Sequence, residues 1–158
     1  MAKNIIVSQI GARHRYAIPN ILHKNRMLKS LFTDSYRYTI LGKTSHIFLK
    51  LGSSRTAFKR LCQRLPKIPK SCIQASDKPI LKLLFKKNVD TILLNEILYF
   101  TLDNFFCKKK KIIASADCIY NMYYENLGFI KYAKEQGKTI VVDIYEKPVS
   151  FNFLLNEV

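Results

Sequence analysis

The residues best equipped for chemistry lie in short polar stretches that directly follow apolar, β-branched runs. The first follows Ile5-Ile6-Val7-Ser8 and contains Gln9, Gly11, Arg13, His14, Arg15 and Tyr16. Gly11 has no Cβ, so a ligand can approach the backbone closely there, and the start of a following helix favours anions. Arg13 and Arg15 add charge-assisted donors whose geometry suits phosphate. Asp34 and Tyr36 follow the run Leu28 to Thr33, and Asn121, Tyr124, Glu125, Tyr145 and Glu146 follow two later runs. A lone glycine in the first stretch is not the GxGxxG fingerprint, which disfavours a nicotinamide enzyme. No nucleophile or acid–base pair stands out by spacing, so the catalytic residues are unknown at this level.

Such stretches become one site only if their strands lie side by side, because ligands of open parallel sheets sit at the carboxyl ends of the strands. Strands are expected over 4–8 and 139–144, where β-branched residues concentrate, and over 28–33 and 117–123. A helix from Tyr16 to Lys24, with Pro19 in its first turn and Ile18, Ile21 and Leu22 inward, joins the first two. Asn126 is a cap for a helix that turns Leu127, Ile130, Tyr132 and Ala133 inward and is closed by Gly137. Two βαβ units bracketing the chain predict an α/β fold: an open, mostly parallel Rossmann-like sheet with helices on both faces.

The middle is less regular. A helix over 55–65 is capped by Ser53 or Ser54 and stopped by Pro66, and a basic connector around Pro66, Pro69 and Ser71 follows. Asp77 starts a short helix through Lys87, and Asp90 opens a long one to about Lys111. In that long helix Leu93, Ile97 and Phe100 form one inward row, with Leu94, Leu98 and Phe105 on its neighbour.

With 158 residues the chain has room for a single core. The reading places one domain over 1–147 and a tail over 148–158, where an interdomain linker or further elements of the same domain would follow. The net charge of +16 sits in one half: residues 1–87 carry 19 Lys and Arg against 2 acidic residues, whereas 88–158 carry 8 against 9. That asymmetry points to an anionic partner: a phosphate-bearing substrate, an anionic membrane or nucleic acid. Aromatics are not interleaved with the charge in an RNP-like motif, which disfavours nucleic acid. Cys62, Cys72, Cys107 and Cys118 show no CxxC pairing, and His23 and His46 have no partner spacing, so free thiols are expected and no metal. Lys108 to Lys111 reads as a solvated helix end. The apolar start is too short for a secretory signal and no run is long enough to span a bilayer, which leaves the cytoplasm as the expected compartment.

The stretch Ile5 to Pro19, followed by Ile21-Leu22-His23 and Leu31-Phe32-Thr33-Asp34, resembles the opening of bacterial family 4 glycosyltransferases. Ala116 to Asn121 and Ala133 to Asp143 resemble a later βαβ unit of the same N-terminal domain. The resemblance implies one half of a GT-B architecture, two Rossmann-like domains facing across a cleft. It implies transfer of a sugar from a nucleotide-sugar to a glycan or lipid-phosphate acceptor, as in cell-surface polysaccharide biosynthesis. No cofactor is implied; the nucleotide-sugar is a substrate. Gly11 and Arg13 would then lie beside the donor phosphates, and His14 and Tyr16 near the acceptor. Asp34, Tyr36, Asn121, Tyr124, Glu125, Tyr145 and Glu146 would form a solvent-open cleft rim. The family's donor site, with its paired glutamates, would lie beyond Val158, so the resemblance implies a truncated or split form completed by a second domain or chain and inactive alone. Many members carry a His after a late strand, where this chain has Asn121, Tyr123 and Tyr145. The alternative reading is a basic protein that binds nucleic acid or an anionic surface, including peripheral contact with the inner face of a membrane.

Overall fold

The computed structural model describes residues 4–52, 54–84, 91–122 and 127–143. Five strands, β1 (Ile5–Ser8), β2 (Leu28–Thr33), β3 (Ile73–Ala75), β4 (Cys118–Asn121) and β5 (Thr139–Val142), form one sheet in the order β3-β2-β1-β4-β5. Every strand pair is parallel. The fold is therefore α/β and Rossmann-like, with β1 central. Chain progression runs outward in one direction from β1 to β3, then reverses to β4, which makes the β1/β4 carboxyl end the topological switch point.

Alternation along each strand serves two apolar layers. Ile6, Phe32 and Ile119 face α5 (Thr91–Cys107), α6 (Lys110–Ala114) and α7 (Leu127–Glu135), where Leu102, Phe106, Ile113, Phe129 and Ala133 complete the larger core. Phe32, Phe106 and Phe129 meet at ring-centroid distances of 5.2 to 5.9 Å. Each such buried ring contributes about 2–3 kcal/mol, with pairing adding about 1 kcal/mol. On the opposite face Val7 and Leu31 pack with Tyr16, Ile68 and Met122, and with Ile18 and Leu22 of α1 (Ala17–Lys24). Helices thus cover both faces.

Several expectations change in detail. The long helical pattern is two helices, α5 and α6, and the inward row of α5 runs through Leu98, Leu102 and Phe106, leaving Phe100 69% exposed. In α7 Phe129 is the buried anchor and Leu127 is exposed; in α1 Ile21 is exposed. The helix expected over 55–65 is α3 (Thr56–Gln63), entered from Arg55 without a side-chain cap; Ser53 lies outside the described residues. The basic connector contributes the three-residue edge strand β3, tied to β2 by the Ser30 hydroxyl donating to Cys72 O at 2.9 Å. A helix that the sequence did not announce, α2 (Ile40–Lys50), packs against α3. Asp77, expected only to start α4 (Lys78–Leu84), also accepts from Leu41 N–H at the start of α2, at 2.9 Å. Gly42 of α2 sits so close to the preceding turn that a Cβ there would lie 2.1 Å from Tyr36 O. Gly137 closes α7 as expected: it takes a left-handed φ of 68°, and Lys138 N–H and Gly137 N–H donate back to Ala133 O and Lys134 O. Among the described residues no helix is long and apolar enough to cross a membrane, and the four cysteines are free.

The amino end of α7 is held from outside the helix. Asp103 on α5 accepts from Gly128 N–H at 3.0 Å, and burial pushes its carboxyl up to about 6 against the opposing pull of the Gly128 and Phe129 N–H groups. The folded protein thus keeps a proton that the unfolded chain has lost, and stability falls as pH rises from about 4 to about 6. Asp103→Asn is expected to abolish this fall and to be more stable than wild type at pH 7 by about 1 kcal/mol, allowing for partial solvent screening. Urea unfolding at both ends of that pH range measures it; parallel profiles for the two proteins would contradict it.

Candidate functional site

The site is built at the carboxyl ends of β1 and β2. Gln9, fully buried, adds one rung to the ladder by donating its N–H to Phe32 O at 3.0 Å, and its Nε2 donates to Gly11 O at 2.9 Å. Gly11 has a φ of 68°, in the left-handed region where other residues are strained. A Cβ on Gly11 would lie 3.5 Å from Arg64 Nη2, ordinary contact, so backbone angle rather than space calls for glycine.

Asp34, 1% exposed, gathers the surrounding groups. Gly11 N–H donates to its Oδ1 at 2.8 Å and the Thr33 hydroxyl to the same oxygen at 3.2 Å. Arg64, just after α3, donates from Nη1 to Asp34 Oδ2 at 2.7 Å and to Ser35 O at 3.2 Å. Arg37 N–H in turn donates to Arg64 O at 3.0 Å, so the loop after β2 and the end of α3 grip each other from both sides.

Between Gly11 and α1 the chain turns left-handed for three consecutive residues: His14, Arg15 and Tyr16 have φ of 46°, 51° and 61°. For residues with a Cβ this conformation costs about 1–2 kcal/mol each. The Tyr16 ring, 1% exposed in the core beside Val7 and Leu31, anchors the turn. Burial raises the Tyr16 hydroxyl well above the usual tyrosine range, and the Asp34 carboxylate raises it further against the pull of Arg64. Tyr16 therefore stays protonated as a donor. Its hydroxyl, Gln9 Oε1 and Ser35 Oγ are enclosed and find no hydrogen-bond partner among the described residues.

His14 and Arg15 project into solvent from this turn. Gly11, Asp34 and Tyr16 come together, but the Gly11 N–H is committed to Asp34 and cannot meet a donor phosphate in this arrangement. Tyr36 stands beside them at 7% exposure, edge-on to Tyr38 with ring centroids 6.0 Å apart, and burial followed by Tyr38 raises its hydroxyl. Asn121, fully buried at the end of β4, accepts from Asp143 N–H through its carbonyl at 2.8 Å, while Met122 N–H donates to Ser8 O across the switch point. The expectation of a solvent-open rim is corrected for Asp34, Tyr36 and Asn121, which are buried, and Tyr16, expected near an acceptor, is buried in the core. Tyr124, Glu125, Tyr145 and Glu146 lie outside the described residues, as do the side chain of Arg13 and the expected cap Asn126. Ser35 and Arg64 were missed: Arg64 reads as one more cation at a helix end, and nothing in the spacing ties it to a carboxylate thirty residues earlier. No group of His, Cys, Asp or Glu among the described residues is arranged to hold a metal.

No family model, curated protein or solved structure matches the chain at a significant level. What fold and site define together is an α/β protein with a Rossmann-like parallel sheet, whose central-strand loop is held by a buried carboxylate paired with a partly exposed arginine, at the place where such sheets bind ligands.

The lock is testable as a coupled pair. Arg64→Met leaves the Asp34 charge enclosed without its cation and is expected to cost about 3 kcal/mol of stability. Asp34→Asn should cost less in the Arg64→Met background than in wild type, since it then removes a charge that has no counter-ion. Denaturant unfolding of the two single variants and the double gives the coupling; strictly additive losses would show that the pair is not what holds the loop.

Proposed function

We propose that this chain supplies the acceptor side of a two-domain sugar transferase. The sugar would pass from a nucleotide-sugar to a glycan or lipid-linked acceptor, and a second Rossmann-like unit, in the same polypeptide or another, would hold most of the donor. One observation carries this reading: a strained left-handed turn, His14 to Tyr16, directly after Gly11 at the carboxyl end of the central strand of a 3-2-1-4-5 parallel sheet. Backbone strain persists only where surrounding structure over-determines it, and it concentrates at ligand clamps and active sites. The sequence of this same segment carries the resemblance to family 4 glycosyltransferases.

In this reading the division of labour follows burial. Asp34, Arg64 and Tyr16 shape the loop from below, while the exposed His14 imidazole and Arg15 guanidinium face the ligand. Arg15 offers a fork of donors to a phosphate or sugar hydroxyl, and the His14 ring nitrogens offer hydrogen-bonding positions beside it. Transfer also requires the donor diphosphate to be held and its leaving charge stabilised, and most of those groups belong to the second unit. A second reading, binding to nucleic acid or another anionic surface, rests on the stretch 35–76, which carries nine Lys and Arg and no acidic residue.

The 158 residues alone are expected to release no nucleoside diphosphate from nucleotide-sugars above background. They should nevertheless bind nucleotide-sugars or anionic oligosaccharides weakly at the turn. In titrations at one fixed salt concentration, His14→Ala with Arg15→Ala should weaken binding about tenfold, roughly one charge-assisted hydrogen bond. Lys109→Ala with Lys110→Ala should leave it nearly unchanged. Equal losses from both pairs would reduce the binding to diffuse attraction and favour the second reading; turnover by the chain alone would overturn the half-enzyme reading.

A further inference from the structure

Helix α2 carries a line of exposed aliphatic side chains where an ordinary surface helix is polar. Its buried positions are Gly42 and Ser45, small or polar, whereas Ile40 is 76% exposed, Ile47 55% and, at the end of the helix, Leu51 77%. At 100° per residue Ile40, Thr44, Ile47 and Leu51 fall on one line along the helix, opposite the buried side, over about 16 Å. Phe48, 51% exposed, borders the line and stacks on Phe58 of α3 at 5.6 Å, which fixes the two helices as one surface. Lys43 and Lys50 flank the other side of the line, and Arg55, Lys59 and Arg60 are exposed on and just before α3. The Arg55 guanidinium lies 5.9 Å from the Phe58 ring centroid. No acidic residue occurs from 35 to 76 to offset these cations.

From this arrangement we infer that the outer face of α2 and α3 docks on an anionic lipid surface, with Ile40, Ile47 and Leu51 entering the acyl boundary and the flanking Lys and Arg side chains meeting the headgroups. A line of aliphatic side chains gains by leaving water for hydrocarbon, and flanking cations gain by approaching anionic headgroups; an interfacial helix combines the two. RNA would use the cations and stack on aromatics, but would leave the three aliphatic side chains without a partner. A protein partner presents mixed charge, which cations unrelieved by any acid do not match as they match a uniformly anionic surface. This surface does not depend on the sugar-transfer reading.

The chain contains no Trp, so a single introduced one reports its own surroundings. Leu51→Trp places it on the proposed face, and Phe100→Trp, at an exposed position of α5, serves as the reference. Vesicles of phosphatidylcholine with phosphatidylglycerol should shift the emission of the residue-51 reporter to the blue and leave the residue-100 reporter unchanged. Vesicles of phosphatidylcholine alone should shift neither. In co-sedimentation with the anionic vesicles, Ile40→Ser with Ile47→Ser should weaken binding about tenfold, and so should Lys43→Gln with Lys50→Gln, whereas Lys110→Gln with Lys111→Gln should not. The four lysines are exposed, and so are Ile40, Ile47, Leu51 and Phe100, so thermal unfolding of every variant should match wild type. The inference is overturned by an unshifted residue-51 reporter, by equal shifts at both reporters, or by vesicle binding that survives loss of the aliphatic line. Capture of double-stranded RNA that falls with the lysine pair but not with the isoleucine pair, in the absence of vesicle binding, would assign the face to nucleic acid instead.

Discussion

Asp34 sits at 1% exposure with a formal charge, and an enclosed carboxylate is tolerated only if its lone pairs and its charge are both answered. The answering groups come from three parts of the chain: Gly11 N–H from the loop after β1, the neighbouring Thr33 hydroxyl, and the Arg64 guanidinium at the end of α3. None of these is interchangeable. The Gly11 N–H reaches Asp34 only in a left-handed conformation, and Arg64 reaches it only while α3 ends where it does. One carboxylate therefore ties the central strand's loop to Arg64, at the end of a helical hairpin and more than fifty residues beyond Gly11. Losing any one partner leaves the remaining charge or dipole buried and uncompensated, which is the costly direction of change.

The strained turn follows from that constraint. With Gly11 pinned to Asp34 and α1 obliged to lay Ile18 and Leu22 on the sheet, five residues must reverse the chain and still deliver Tyr16 into the core. The left-handed path through His14, Arg15 and Tyr16 achieves this, and the buried Tyr16 ring offsets a backbone cost of about 3–6 kcal/mol for the three residues. The result is local asymmetry: an aromatic fixed inward, and an imidazole and a guanidinium held outward on a backbone with little freedom. Preorganised side chains on a rigid turn are what a binding site needs, because little ordering remains to oppose ligand capture.

Sequence pattern revealed the parts of the fold in which local preference and global packing agree. The β-branched runs located β1 and β5, shorter apolar runs located β2 and β4, and Gly137 marked a helix end where a left-handed residue is wanted. It failed where they diverge. In α2 Ile40 and Ile47 are exposed while Gly42 and Ser45 are buried, so the usual apolar stripe is blurred and its glycine argues against a helix at all. The three residues of β3 are too few for alternation to register. At the site, Gly11, His14, Tyr16, Asp34, Tyr36 and Asn121 were legible as residues after strands, because parallel topology places loops of consecutive strands together. Their burial was not, nor was the part played by Arg64, since ion pairing across thirty residues leaves no periodic trace.

The two unusual regions share an element. The hairpin of α2 and α3 presents exposed aliphatics and cations on its outer side, and its last turn delivers Arg64 to Asp34 on its inner side. Its attachment elsewhere is slender by comparison: Asp77 caps Leu41, Arg37 meets Arg64 O, and Gly42 lies against the Tyr36 carbonyl. The residue that follows α3 thus belongs both to the hairpin and to the contacts that hold the loop after β1. A shift of α3 large enough to lengthen the 2.7 Å Arg64–Asp34 contact bears on Gly11 as well, because Asp34 accepts from both. The basic surface and the switch-point loop are thus mechanically one system, although they lie on different faces of the hairpin and rest on different chemistry.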